Sequence, residues 1–190
     1  MNDEDAKYGT WIQTFTGKIF DLSDPKPENV DIVDIAHALG MLCRYCGHVK
    51  KFYSVAEHCV VMSRIVSPEA ALDVLLHDSP EAYVTDISRP IKSLLPNHAP
   101  MEARVLSAIY EYLELDLPSE SIKKEIELAD LTLYLTEREQ LMAKPPKPWV
   151  CDDGRVEALP TTLPLWSPEI AETAYLERFN ALIRREQSNG

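Results

Sequence analysis

The chain is short of most features that would assign it to a functional class by composition alone. No apolar run is long enough to span a bilayer, and no basic, apolar signal opens the N-terminus, which points to a cytoplasmic protein with no membrane partner. Cations are scarce: 19 Lys and Arg stand against 31 Asp and Glu, a formal charge of −12. Nothing offers the basic stripe that counterion release needs, so a nucleic-acid polymer is argued against as the main partner. A small anion stays admissible where a few local cations and a metal offset the field. The four cysteines (Cys43, Cys46, Cys59, Cys151) are too few and too irregular for a disulfide framework. Cys43-x-x-Cys46 with His48 beyond it is half of a zinc pattern without its other half, so packed, reduced thiols are expected. No repeat or low-complexity tract is present.

What is present suits one domain, residues 1–190, with a single substantial core: 45% of the residues are apolar. Trp11 to Asp21 reads as a short β-hairpin about Thr16-Gly17, and the rest reads as all-α. Asp31 caps a helix to about Leu42 in which His37 packs rather than ligates. Ser54 and Glu57 form an S-x-x-E capping box for a helix through Val66, and this accounts for Glu57 without a catalytic role. Met101 to Leu115 is helical, and a further helix runs on to about Met142. Residues 144–166 are proline-rich, in the manner of a lid or partner contact. A last helix, 167–185, is expected to turn Ile170, Ala174, Leu176, Phe179 and Ile183 inward.

The pattern converges on Ala70 to Lys92, AALDVLLHDSPEAYVTDISRPIK. Ser67 and Pro68 read as N-cap and first residue of an apolar helix that carries His77 and Asp78 out of the interior, and Pro80 ends or kinks it. An imidazole and a carboxylate there are costly to bury unpaired. By adjacency alone a histidine bonded to its neighbour accounts for them equally well. Two other helices shift the balance. His58 shares the face of Val61, Met62 and Ile65, and Asp130 falls among Ile126, Leu133 and Tyr134. Two imidazoles and two carboxylates aimed at one interior suit a divalent zinc, manganese, cobalt or magnesium ion.

Glu57-His58, His77-Asp78 and Asp130 resemble the H…HD…D signature of HD-domain phosphohydrolases. The flanking segments R-Y at 44–45, S-V-A-E-H at 54–58, H-D-S-P-E at 77–81, T-D-I-S-R-P-I-K at 85–92 and A-D at 129–130 resemble its small 5′-deoxynucleotidase branch. That branch also contains deoxynucleoside triphosphate hydrolases found in some phages. The resemblance covers roughly Trp11 to Gln140. It implies an HD-type helical bundle holding one divalent metal through His58, His77, Asp78 and Asp130, in a homo-oligomer acting on a small nucleotide in the cytoplasm, that of the host if phage-encoded. It implies cleavage of the 5′ phosphoester, releasing phosphate from a monophosphate or triphosphate from a triphosphate such as dATP. Glu81 would orient the attacking water and Asp86 serve as acid or base for the leaving oxygen. Arg44 would grip the phosphate, Tyr45 lie against the sugar, and His48 contact base or phosphate. At 88–89 the chain departs from some relatives, with Ser and Arg in place of Pro and Thr, and Arg89 there would reach a β- or γ-phosphate and favour a longer polyphosphate tail. Tyr134, Glu137 and Arg138 would line the pocket or make a surface pair.

Three rivals stand beside this reading. One is a cyclic-nucleotide or guanosine-polyphosphate hydrolase of the same superfamily. Another is a di-iron oxygenase, disfavoured because His37, His48 and His98 are not spaced as extra ligands. The third is a helical interaction module that keeps polar core residues and catalyses nothing.

Overall fold

A computed structural model describes residues 9–149 and 154–189, so the expectations for Cys151 and for the charged start at 2–7 lie outside it. The chain is mostly helical behind a small antiparallel hairpin. Strands β1 (Trp11–Gln13) and β2 (Ile19–Asp21) pair with Trp11 opposite Asp21, shorter than the span expected of them. Gly17 takes φ 88° in the turn between them, where a side chain would be strained. The Asp34 carboxylate accepts from Thr16 N at 2.6 Å and Thr16 Oγ1 at 2.9 Å, and so ties the turn to α1 (Ile32–Met41). Asp31 caps that helix through Val33 N, as its sequence leads one to expect.

Next come α2 (Val55–Met62), α3 (Ala71–Leu76), the single turn α4 (Glu81–Val84) and the short α5 (Arg89–Lys92). The long helices α6 (His98–Tyr112), α7 (Glu120–Leu141) and α8 (Pro168–Asn189) complete the chain. No helix among the described residues is long and apolar enough to cross a membrane.

Several expected boundaries move, for identifiable reasons. Helix α3 begins at Ala71, not at Ser67. The Ser67 amide and hydroxyl are drawn across to the Glu125 carboxylate on α7, at 2.6 and 3.0 Å, and residues 67–70 form a turn instead. It stops at Leu76 with His77 as its C-cap, one turn short of Pro80. Helix α2 ends at Met62, leaving Ile65 41% exposed instead of facing inward with His58. Helix α6 opens three residues earlier than expected and tolerates Pro100, because a proline in the first turn forfeits no intrahelical bond. The inward stripe of α8 is Ala171, Tyr175, Phe179 and Leu182. Phe179 is buried as expected, whereas Ile170, expected inside, is 54% exposed and Ala174, Leu176 and Ile183 are only half-buried, with Ala171, Tyr175 and Leu182 taking the inward positions.

The buried apolar side chains form two clusters where one core was expected. The larger gathers α1, α3, α4, α6, α8 and one side of α2, with Phe20 of the hairpin stacked on Tyr83 at 3.8 Å. The smaller joins Tyr53, Met62, Ala70 and Val74 to Ala129, Leu133 and Leu141 of α7, with Leu163 closing it. Helices α2 and α3 thus lie between two apolar masses. On the α7 side of that pair, His58 meets Asp130 and Glu137.

Candidate metal centre

Helix α2 supplies His58. Ser54 caps it by accepting from Glu57 N at 3.0 Å, but the reciprocal half of the capping box is missing. The fully buried Glu57 carboxylate instead accepts from Leu165 N at 2.6 Å and Trp166 N at 2.8 Å, fastening the end of the proline-rich segment. Burial pushes this carboxyl up to about 7, against the two amides that favour its charge. The same segment is stitched to α7, where Leu159 N meets Thr136 Oγ1 and Leu163 N meets Gln140 Oε1.

His58 is wholly buried, and its two ring nitrogens have different surroundings. Nδ1 lies 2.6 Å from Glu137 Oε1. Nε2 has no hydrogen-bond partner and faces Asp130 Oδ1 at 3.5 Å and Asp78 Oδ2 at 3.8 Å. His77, at the end of α3, donates Nδ1–H to Val74 O at 2.7 Å, which directs Nε2 to Asp78 Oδ2 at 3.1 Å. His58, His77 and Asp130 each offer one atom, all within 4.8 Å of one another, and Cys59, His77 and Asp78 form a second such group. These residues could hold a metal ion. The thiol of the second group is the weaker donor, because burial pushes Cys59 up to about 11 and keeps it protonated.

A divalent ion needs at least one donor that protein groups leave unsatisfied. His58 Nε2 is not satisfied, although an orphaned buried nitrogen is expensive. With Nδ1–H directed at Glu137, Nε2 is the lone pair, the arrangement in which a carboxylate orients a ligating imidazole. The residues therefore fit the ion. Asp78 is held well below the usual carboxylate range: burial opposes the shift, and His77, His58 and Arg44 overcome it. Burial likewise lowers His77, but Asp78 outweighs this and favours a proton on the nitrogen a cation would take.

Glu137 was missed as a centre of the site. It is fully buried, and besides His58 it accepts from Arg44 Nε at 3.1 Å and from the Tyr45 hydroxyl. Burial works against its charge, yet Arg44 and His58 bring its carboxyl down to about 2. A signal was available: Ala129, Leu133 and Leu141 mark a buried row at four-residue spacing, and residue 137 completes it. An acid in that row needs partners.

Arg44 is only 9% exposed and also reaches Asp78 Oδ2 at 3.5 Å, so the expected phosphate grip is a guanidinium already fixed between two carboxylates. Tyr45 and Cys46 are left-handed, φ 58° and 53°, in a short turn over 44–47. The loop they occupy closes where Arg44 N meets Tyr53 O at 3.0 Å. Tyr134, one turn beyond Asp130, stands between Tyr45 and Trp149, with ring centroids 6.1 and 5.2 Å away. Arg89 is 82% exposed and bonds Asp130 Oδ2 at 3.1 Å. His48 is exposed and takes no part in the cluster's hydrogen bonds or ion pairs.

Glu81 is 5% exposed, with Oε1 3.4 Å from Lys92 Nζ and Oε2 unpartnered. Burial, with repulsion from Asp78 and Asp86, pushes it up to about 9. Burial also raises Asp86, Arg44 opposing and Asp78 adding to the shift. The other histidines are spent elsewhere. His37 meets Glu172 at 2.9 Å and stacks on Phe15, and His98, buried at the start of α6 away from the cluster, has Glu102 3.1 Å from Nδ1 but no hydrogen bond at either ring nitrogen among the described residues.

No family model matches the chain. It is 37% identical over 182 residues to the uncharacterized protein YfdR of Escherichia coli (strain K12), covering 91% of this chain and 96% of that protein. It is 31% identical over 144 residues to an uncharacterized protein of Rhodobacter capsulatus, covering 69% of this chain and 72% of that protein. With that extent of shared sequence, the chain belongs to the family that includes YfdR.

Proposed function

We propose that the chain is a metal-dependent phosphohydrolase of HD-domain type that cleaves the 5′ phosphoester of a deoxynucleotide. The observation that carries the reading is the orphaned Nε2 of His58, buried, fixed by Glu137 and aimed at Asp78 and Asp130. His58, His77, Asp78 and Asp130 would hold one divalent ion. Such an ion supplies Lewis acidity toward water and a positive charge against the substrate's phosphate.

The remaining roles fall to the chain's own side chains. Arg44, held at Nε by Glu137 and at one terminal nitrogen by Asp78, would offer its remaining N–H groups to the phosphate oxygens. Glu81, with one oxygen toward Lys92 and the other unpartnered, orients the attacking water. The water oxygen bonds to the α-phosphorus as the bond from phosphorus to the 5′-oxygen breaks. Asp86 delivers the proton that the departing oxygen requires, a role its raised affinity for protons supports. Tyr45, Tyr134 and Trp149 give the sugar and base an aromatic wall beside the cluster.

The test is phosphorus NMR on deoxynucleoside mono- and triphosphates in parallel, with added manganese or cobalt. Orthophosphate from the first, or tripolyphosphate from the second, is the expected product. Turnover of cyclic or guanosine polyphosphate nucleotides alone would move the assignment within the superfamily. No turnover with any of them would overturn it in favour of a non-catalytic module.

A further inference from the structure

Resting on the hydrolase reading above, we propose that Arg89 is the specificity-determining residue that recognises phosphates beyond the reacting one, so that polyphosphate substrates are favoured over monophosphates. Arg44, Lys92 and Arg89 each touch acids of this region, and they differ in commitment. Arg44 is buried between Glu137 and Asp78. Lys92 is shared between Glu102 at 2.8 Å and Glu81 at 3.4 Å. Arg89 has one partner in the cluster, Asp130, and its side chain is 82% exposed.

The two Asp130 oxygens divide the work. Oδ1 faces His58 Nε2 at 3.5 Å, and Oδ2 faces outward to Arg89 at 3.1 Å. The guanidinium therefore stands on the solvent side of Asp130, one carboxylate away from the donors that would hold the ion. A cation bound at Oδ1 draws on the same negative charge that retains Arg89. An exposed pair of this kind is weakly held to begin with, so the guanidinium is readily redirected to an anion. The chain carries a net charge of −12, and each phosphate added to a substrate increases the repulsion it meets. A monophosphate has Arg44 and the ion. A longer chain needs a cation further out, and a guanidinium can grip phosphate oxygens in bidentate fashion.

The test measures binding of inorganic tripolyphosphate and of orthophosphate by calorimetry to wild type, Arg89→Ala and Arg89→Lys. Manganese is kept in enough excess to load both protein and anion, and manganese affinity is measured separately for each variant. Arg89→Ala is expected to bind tripolyphosphate about tenfold or more weakly, the scale of a lost charge-assisted hydrogen bond, with Arg89→Lys in between. Orthophosphate binding should stay within about twofold, and manganese affinity should not fall. Equal loss for both anions, no loss for either, or weakened manganese binding in Arg89→Ala would overturn the role while leaving the hydrolase reading standing. A wild-type protein that takes up manganese and binds neither anion would overturn both.

Discussion

Glu137 Oε1 meets His58 Nδ1 at 2.6 Å with neither side chain exposed to solvent. The imidazole is thereby fixed in orientation, and its far nitrogen faces Asp130 at 3.5 Å and Asp78 at 3.8 Å. Glu137→Ala is expected to weaken manganese or zinc binding about 10- to 100-fold, the usual cost of removing a residue that orients a ligating histidine. Glu137→Gln keeps a carbonyl oxygen for Nδ1–H and should recover part of the loss. Calorimetric titration with the metal measures both; equal affinity in all three proteins would break the link between this pair and the ion.

Arg44→Ala leaves Glu137 and Asp78 facing each other across a buried gap. Removing one member of a buried charge pair costs about 3–5 kcal/mol, and denaturant unfolding of the metal-free protein should register a loss on that scale. Adding Glu137→Ala removes the stranded charge, so the double variant should be less destabilised than the sum of the single ones. Strict additivity would show that the two do not act as a unit.

How far the sequence anticipates this arrangement depends on the kind of signal. The hairpin, the Asp31 cap and the course of α7 follow local chemistry and are found within a few residues of where that chemistry puts them. His58, His77, Asp78 and Asp130 are marked because polar ligand types interrupt apolar helical faces. Contacts across the fold are harder to read. Ser67 looks like a helix cap until Glu125, 58 residues away, takes its amide and hydroxyl. Glu57 fits a capping box until the backbone at 165–166 claims its carboxylate. Arg44 looks like a free cation because nothing near it in the chain announces Glu137.

Asp78→Ala should lose metal and turnover together. Asp78 lies 3.1 Å from His77 Nε2 and 3.8 Å from His58 Nε2, so its loss opens the side shared by both imidazoles. Elemental analysis of the purified variant decides the matter, and an unchanged metal content would remove Asp78 from the ligand set.

Glu81→Gln preserves size and should leave metal content intact while lowering kcat by about 10²-fold, the scale of a misplaced reactant. Loss of metal in this variant would instead make Glu81 a ligand.

Glu57→Ala removes the acceptor for two backbone amides, of Leu165 and Trp166. Leaving such donors without a partner costs about 1–3 kcal/mol each at most, less where water reaches them. A lower melting temperature with faster proteolysis around 160–166 is expected. Protection of that stretch equal to wild type would show that the fastening is dispensable.

The left-handed pair at 45 and 46 sets two opposing demands on adjacent positions. Side-chain-bearing residues held there cost on the order of 1–3 kcal/mol each, and glycine would relieve the strain. At Cys46, which is exposed, glycine or asparagine would relieve the left-handed strain without disturbing the site. At Tyr45 the same change would trade backbone comfort for the phenol that grips Glu137, and the more robust protein would be the poorer binder.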